Sequence, residues 1–465
     1  MGQSGGKMGA RSSTPEEYKA KIKEAIEKSY FLSETSLCEL GVAKGGKVRD
    51  IYETDSDIVM LASDRVSAFD YILPNLIPFK GSVLNAMTRF QMAQTQDIIP
   101  NALRDVQVDP NVVIQKKMKV IKVEAIVRGY VWGSMAAAFE RGERTFCGLT
   151  MPDSLIRFQK FESPIFTPTT KADQGEHDAD MTFDQVVETC GSKEMAEKVR
   201  DTALALFARG SELAAKRGLI LIDTKYEFGL DEKGELHVID EVNTPDSSRL
   251  CERSEYTDKF PKIQKEMKTG KYAHVSALLE AKPELKIKEL SKQYVRDVLL
   301  ASGFDPKKGG EVPVMSEEQV IECVYRYITV YERVTGTQFQ FPDLSIRPET
   351  RLLARLSGQG ILKGGCCLSV DGALKSQLQT AGISFQSVSS TEMGKLKEAV
   401  KYHNTSLTPV VVLVPSSEVL EKVARLSRNP VVVSEDESTM SLVKQIFATG
   451  GGATPFFKEA LALSE

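Results

Sequence analysis

The chain has 465 residues, with 60 Lys and Arg against 64 Asp and Glu and a formal net charge of -4. That near balance gives no electrostatic reason to expect a nucleic-acid partner, and no apolar run reaches the length of a membrane span. The length exceeds what one core usually organises, so two or three units are expected. The seven scattered cysteines, with no C-x-x-C pair, fit a reducing, cytoplasmic setting better than a disulfide or zinc framework.

The opening MGQSGGKMGARSSTP lacks the apolar core of a signal peptide and reads as a leader. PEEYKAKIKEAIEKSYFL then has helical composition, and leader and first helix together occupy residues 1–34. From Val42 to Leu73 short runs alternate apolar and polar residues, as hairpin strands do, which predicts a small antiparallel lobe. Within it, GGKVRDIY sets Gly45 and Gly46 before Lys47 and Arg49, expected on one strand face. The pair of glycines permits close backbone approach to a phosphate, or merely a turn. Residues 111–131 hold two β-rich runs, and VWGSMAAAFERG then turns helical. Ser134 therefore opens a helix whose N-terminus favours a phosphate, with Arg128 just before it; a simple cap is the competing reading.

PIFTPTTKADQGEHD, residues 164–178, crowds Lys171, Asp173, Glu176, His177 and Asp178 into one loop. Such groups repel or compete unless a polyanionic ligand with a metal organises them, although a solvated polar loop has the same composition. His177 has no identifiable partner and reads as a hydrogen-bonding loop residue rather than a proton acceptor.

An amphipathic helix, MAEKVRDTALALFARGSELAAKRG, leads into a strand pair at 219–242. In LILIDTKYEFGL, Ile220, Ile222, Tyr226 and Phe228 are expected to face the core, and Asp223, Lys225 and Glu227 the other side. With residues 231–234 as the turn, Leu230 pairs with Glu235 and Lys225 lies opposite Asp240. Glu227 and Asp240 then become diagonal neighbours about 7 Å apart. Two carboxylates so placed suit a Mg²⁺ ion that bridges nucleotide phosphates; a Lys225–Asp240 cross-strand pair is the plainer alternative. The following DEVNTPDSSR brings Asp246, Ser247, Ser248 and Arg249 together after a proline turn, a second phosphate subsite beside that of Arg128 and Ser134.

Helices near 289–301 and 316–335 close the first unit. The Pro and Gly signals in FQFPDLSIRPETRLLARLSGQGILKGG mark a linker at 344–365, and strands alternate with helices from 366 to 465.

GKVRDIY, SDRVSAFD, VRGYVWGS, PIFTPTTKADQGEHD, DTKYEFG and DEVNTPDSSR resemble, in order and wording, the phosphoribosylaminoimidazole-succinocarboxamide synthase (SAICAR synthetase) family. SKQYVRDVLLASGF and RYITVYERVTG look like that family's terminal helices. The resemblance spans the unit 35–343 and implies a mixed α/β and α+β fold like that of ATP-grasp enzymes, with ATP between a β-rich lobe and a larger part. The implied enzyme is an ATP-dependent carbon–nitrogen ligase of purine biosynthesis that condenses carboxyaminoimidazole ribonucleotide with L-aspartate. By matching motif, Lys47 and Arg49 would contact ATP, Glu227 and Asp240 would hold Mg²⁺, and Arg128, Ser134 and Arg249 would hold the ribonucleotide phosphate. Lys225 and Asp246 would address its imidazole and carboxylate, and Asp70, ending SDRVSAFD, would face substrate. The competing class is another ATP-dependent kinase or ligase with a glycine-rich lobe.

Residues 366–465 resemble, in layout, the flavodoxin-like phosphoribosylaminoimidazole carboxylase domain that follows this synthase in animals. The chemical motifs have degraded. Leu368, Ser369, Val370 and Asp371 replace the glycine-serine loop, and SVSST, Ser387 to Thr391, lacks the family's histidine. The domain is thus expected to be a non-catalytic module that favours a homo-oligomer; a bifunctional enzyme that also carboxylates is the alternative. His403 follows a helical pattern and reads as a surface residue.

Overall fold

A computed structural model describes residues 14–33, 35, 37, 40, 43–69, 71–171, 178–290, 293–306, 308–358 and 361, and the backbone of four strands between 366 and 433. Helix α1 (Pro15–Glu27) starts where Thr14 and Glu17 form a reciprocal capping box and Pro15 fixes the first turn. Strands β1 (Lys44–Gly45), β2 (Arg49–Glu53), β3 (Asp57–Ala62), β4 (Arg65–Ala68) and β5 (Tyr71–Leu76) precede α2 (Lys80–Ala93) and β6 (Val112–Lys116). The lobe is antiparallel as expected: β1, β2, β3 and β6 pair in that order, while β4 and β5 form a separate hairpin. Lys47 lies in the bend before β2 and Arg49 begins the strand, so the two do not share a strand face.

The larger sheet is built from β7 (Lys119–Val120) and β8 (Val123–Tyr130), which runs into α3 (Gly133–Glu140). A small hairpin, β9 (Thr145–Phe146) and β10 (Leu149–Thr150), comes before β11 (Lys160–Phe166), β12 (Thr169–Thr170), α4 (Phe183–Cys190) and α5 (Lys193–Lys216). The chain then forms β13 (Leu219–Leu230), β14 (Leu236–Ile239) and β15 (Ser248–Glu252). The order is β11-β8-β13-β14, with β7 and β15 also on β13 and β12 on β8.

β13 is the centre of this sheet, and its apolar residues divide between two clusters instead of sharing the one core face expected: Tyr226 and Phe228 lie where expected, Ile220 and Ile222 do not. Leu219 and Leu221 enter the main core, as do Tyr226 and Phe228, whereas Ile222 joins a second cluster with Tyr130, Trp132 and Phe260. The ladder with β15 shifts between Leu221 and Asp223. Such an irregularity reverses which alternate residues face the core. Val199, Ala203, Leu206 and Phe207 of α5 cover the main-core side. Gly210 lets α5 approach the loop after β14, since a Cβ there would lie 2.4 Å from the Asn243 amide nitrogen.

Helices α6 (Arg253–Met267), α7 (Val275–Ala281), α8 (Gln293–Ala301) and α9 (Glu317–Thr335) follow. α8 covers 9 residues rather than the longer helix expected. The expected linker contains α10 (Pro348–Gly358), in which Leu352 and Leu356 are buried. From α10, Arg351 pairs with Asp109 at 2.8 Å and donates to Asn111 Oδ1 at 2.7 Å and to the Tyr30 hydroxyl. Composition marked a boundary, yet the amphipathic RLLARL run belongs to the first unit.

Beyond it, β16 (Cys366–Ser369), β17 (Ser384–Ser387), β18 (Val410–Leu413) and β19 (Pro430–Val433) form a parallel sheet in the order β17-β16-β18-β19. Asp371, SVSST beyond Ser387, and His403 lie outside the described residues. Among the described residues no helix is long and apolar enough to cross a membrane.

Candidate active site

The polar face of β13 collects the charged groups. Asp223 stands between Arg128 of β8 and Arg249 of β15 in the two ladders, and Lys225 lies opposite Ile126. Directly opposed residues share a sheet face, and so do alternate residues along a strand. Arg128, Asp223, Arg249, Lys225 and Glu227 therefore project together. The Lys225 ammonium donates to Glu124 Oε1 at 2.5 Å and lies 3.4 Å from Glu227 Oε1. Lys171, from the loop motif, contacts Glu227 Oε2.

Asp240 reaches this group by a route the sequence did not reveal. The ladder pairs Leu230 with Leu236 and Glu227 with Ile239, one residue off the expected register. Asp231 causes the slip: its Oδ1 accepts from the N–H groups of Lys233 and Glu235 at 2.9 and 2.8 Å, while its own N–H donates to the Glu235 carbonyl. The loop becomes 231–235. In a regular strand that slip would turn Asp240 to the opposite face. Instead Asp240 has φ 61, in the left-handed region that Asp tolerates better than most residues. Gln115 clamps its peptide, accepting from Asp240 N–H at 3.0 Å and donating to its carbonyl at 2.9 Å. Arg49 then bridges Asp240 Oδ1 at 2.6 Å and Glu241 Oε2 at 2.7 Å.

Burial and charge set the protonation of these groups. Burial alone would raise the Glu227 carboxyl, but Lys225 and Lys171 outweigh it and hold Glu227 below its ordinary range. Burial pushes Asp240 up to about 6; Arg49 pulls it down, while Glu227 and Glu241 push it further up. Desolvation works against the Lys225 ammonium, yet Glu227 and Glu124 keep it above its usual value. Repulsion between buried carboxylates marks a locus short of positive charge. The donor set is all oxygen, and a hard divalent cation fits it. Asp231, Glu235 and His237 at the hairpin tip also bring ligand atoms within 4.8 Å of one another, but Asp231 there serves the turn.

Arg128 and Arg249 converge on one carboxylate, Asp223 Oδ2, at 3.5 and 2.8 Å. The two arginines meet at one place, not the two expected, because β8 and β15 flank the same strand. Gly133 opens α3 at φ +59, and a Cβ there would fall 2.8 Å from the Arg249 guanidinium carbon. Arg249 is thereby set against the helix N-terminus, where Ser134 is exposed. Thr167 accepts from Arg128 Nε at 2.9 Å. Among the described residues Arg249 Nε is buried without a hydrogen-bond partner, as is Arg49 Nε. Glu289 Oε2 lies 3.6 Å from Arg249 Nε, an ion pair just beyond hydrogen-bonding distance.

Asp246 lies in a neighbouring group. Its Oδ2 accepts from the fully buried Lys80 at 2.8 Å, and its Oδ1 from the Tyr327 hydroxyl at 2.7 Å. It still acts electrostatically on Arg49, which ties the two groups together. Lys47 is exposed at the lobe's edge. Asp70 and His177 lie outside the described residues. Sequence reading missed Glu124, Lys80, Gln115, Glu241 and Tyr327. Glu124 carried a usable signal, since it alternates with Arg128 along β8, and so did Glu241, the neighbour of Asp240 in DEVNTPDSSR; Lys80, Gln115 and Tyr327 come from separate elements and carried none.

The sequence model of the SAICAR synthetase family matches residues 42–274. A phosphoribosylaminoimidazole-succinocarboxamide synthase of Cytophaga hutchinsonii is 43% identical over 314 residues, covering 67% of this chain and 93% of that protein. One from Legionella pneumophila, strain Lens, is 38% identical over 317 residues, again 67% and 93%. Among solved structures, the SAICAR synthase of Saccharomyces cerevisiae complexed with SAICAR is 29% identical with a TM-score of 0.55, covering 67% of this chain and 100% of that one.

Proposed function

This chain belongs to the SAICAR synthetase family and is a ligase of that kind; from that premise we propose that it condenses carboxyaminoimidazole ribonucleotide with L-aspartate, coupled to conversion of ATP to ADP and phosphate. The observation that carries this reading is the shared face on which Arg128, Asp223 and Arg249 adjoin Lys225 and Glu227. An anion subsite lies beside a cation-and-carboxylate cluster, as a phosphorylated substrate with a reacting carboxylate requires.

A carboxylate is a poor electrophile. Transfer of the γ-phosphoryl group to its oxygen supplies a leaving group; the aspartate amine then adds to the acyl carbon, loses a proton, and phosphate departs. Arg128, Arg249 and the N-terminus of α3 with Ser134 hold the ribonucleotide phosphate. Lys225 offsets charge on the substrate carboxylate, and Asp246, fixed by Lys80 and Tyr327, orients the imidazole. Arg49 and Lys47 address the ATP phosphates in the manner of an electrostatic phosphoryl-transfer site. Glu227 and Asp240 would hold Mg²⁺, which when bound neutralises and orients the phosphates. ATP then lies against the β-rich lobe at Lys47 and Arg49, as in ATP-grasp enzymes. Asp70 is retained as a substrate-facing residue on the SDRVSAFD motif alone.

For residues 366–465 the proposal is a flavodoxin-like carboxylase relative that has become an assembly module and makes the protein a homo-oligomer. The strand order, second-first-third-fourth and all parallel, supports the fold. A cytoplasmic setting is supported by the free thiols of Cys147, Cys190, Cys251 and Cys323. The test is an assay of the purified chain with carboxyaminoimidazole ribonucleotide, Mg-ATP and aspartate. One ADP per succinocarboxamide product is expected; ADP formed equally without aspartate, or product formed with a different amine, refutes the reading.

A further inference from the structure

Between α2 and α9 lies a cavity of about 270 Å³, and none of the groups assigned to the reaction lines it. Its walls carry the rings of Phe79, Tyr331 and Phe339, the amide side chains of Gln338 and Gln340, and the guanidinium of Arg89. Arg89 is half-buried and makes no ion pair among the described residues; its Nη2 donates to the carbonyls of Val106 and Val112 at 3.1 and 3.2 Å. Burial weakens its hold on its proton, and Asp105 opposes that. The carboxylates on the wall are already served. Asp109 is paired with Arg351 at 2.8 Å, and Asp64 accepts from Leu32 and Gly81 N–H.

Both walls lead to Asp246. Phe79 is followed in the chain by Lys80, whose ammonium donates to Asp246 Oδ2 at 2.8 Å. Tyr331 stands one turn along α9 from Tyr327, whose hydroxyl donates to Asp246 Oδ1 at 2.7 Å. Phe79 has φ 67, and a bulky residue in the left-handed region persists only where its surroundings hold it. The rings of Tyr30, Phe339 and Phe341 do so, with centroids 5.6, 5.8 and 5.4 Å from its own. A ligand that packs among these rings changes the support of the turn that aims Lys80.

Aromatic rings accept the face of a planar base, amide side chains pair with its polar edge, and a guanidinium binds a phosphate. The area of several rings suits a bicyclic base. One unpaired cation suits one phosphate rather than three, because Asp64 and Asp109 lie on the same wall. We propose that this cavity is an effector site for a purine ribonucleoside monophosphate, separate from the site of the reaction, and that its occupation lowers turnover by drawing Lys80 and Tyr327 off Asp246. The binding stands apart from the ligase reading; the effect on turnover rests on it.

The test is equilibrium dialysis of labelled AMP against the full chain, with the reaction site filled by carboxyaminoimidazole ribonucleotide and a non-hydrolysable Mg-ATP analogue. One further AMP per chain should bind, and adenosine and ribose 5-phosphate should each compete about tenfold more weakly or worse. Arg89→Gln should weaken AMP binding about tenfold, and Ala86→Trp, which fills the cavity from α2, should abolish it. Both variants should keep kcat without AMP within about twofold of wild type. Saturating AMP should lower wild-type kcat about twofold or more, hold KM for ATP within about twofold, and leave Ala86→Trp unaffected. Absence of the further AMP, or AMP binding that both variants retain, overturns the proposal. So does a filled site that leaves kcat unchanged, and so does inhibition that excess ATP reverses, which would place AMP in the nucleotide site. A chain that binds AMP in this way but ligates nothing upholds the site and overturns the ligase reading.

Discussion

Asp64 offers a test of burial against hydrogen bonding in this fold. It is 3% exposed, its Oδ2 accepts from Leu32 N–H at 2.8 Å, and its Oδ1 from Gly81 N–H at 3.1 Å in the first turn of α2. Burial raises its carboxyl from 3.8 to about 7, against the pull of both N–H groups, Lys80 and Arg351. A folded value above the unfolded one means stability that is fully present below pH 3.8 and lost as pH climbs through about 7. The difference amounts to about 4 kcal/mol. Asp64→Asn imitates the protonated acid at every pH but leaves one N–H without its acceptor, a cost of about 1–3 kcal/mol. The variant should therefore be about 1–3 kcal/mol more stable than wild type at pH 8, with the advantage vanishing or reversing below pH 5. Urea unfolding at several pH values, followed by fluorescence of Trp132, the chain's only tryptophan, reads the synthase unit directly. A variant that is less stable by the same amount at every pH would refute the reasoning and show that Asp64 is an ionised cap for α2.

Glu227→Gln and Asp240→Asn should each remove most ligase activity without unfolding the chain, with partial rescue by raised Mg²⁺; near-normal turnover of both at limiting Mg²⁺ would sink the metal assignment. Arg249→Lys replaces a planar fork by a point charge, so ribonucleotide affinity should fall about tenfold, about 1.4 kcal/mol, with ATP affinity held. Titration of each substrate separately checks this, and loss of ATP affinity alone would count against it. Arg351→Ala leaves the buried Asp109 carboxylate only Arg355, 3.7 Å away, as a counter-charge and should lower stability by up to about 3–5 kcal/mol, visible as a fall in urea midpoint. An unchanged midpoint would mean that α10 is not part of the first unit's cooperative structure. A chain ending at residue 363 should keep ligating but scatter light as a smaller particle, and the full chain at high bicarbonate should not carboxylate aminoimidazole ribonucleotide. Carboxylation that depends on residues 364–465 would restore the bifunctional alternative.

Local chemistry was legible because it is written in contiguous runs. The alternation in DTKYEFG put Asp223, Lys225 and Glu227 on one face, the Gly133–Ser134 step marked the start of a helix, and DEVNTPDSSR kept Asp240, Asp246 and Arg249 within one short stretch. What the sequence could not decide was which neighbours each strand acquires. Arg128 and Arg249 come together because β8 and β15 both pair with β13 at Asp223, a contact between residues far apart in the chain. The hairpin register turned on Asp231 accepting two backbone N–H groups, and the left-handed turn at Asp240, clamped by Gln115 from the other sheet, set that carboxylate on Arg49 and within electrostatic reach of Glu227. Lys80 and Tyr327 reach Asp246 from separate helices, and Arg351 reaches Asp109 from a segment that read as a linker. Side-chain period is a local property of the backbone, and it survives in the sequence. Strand register and the partner of a buried charge are settled by long-range packing, where a single bulge or positive φ reverses a face without leaving a trace in the local pattern.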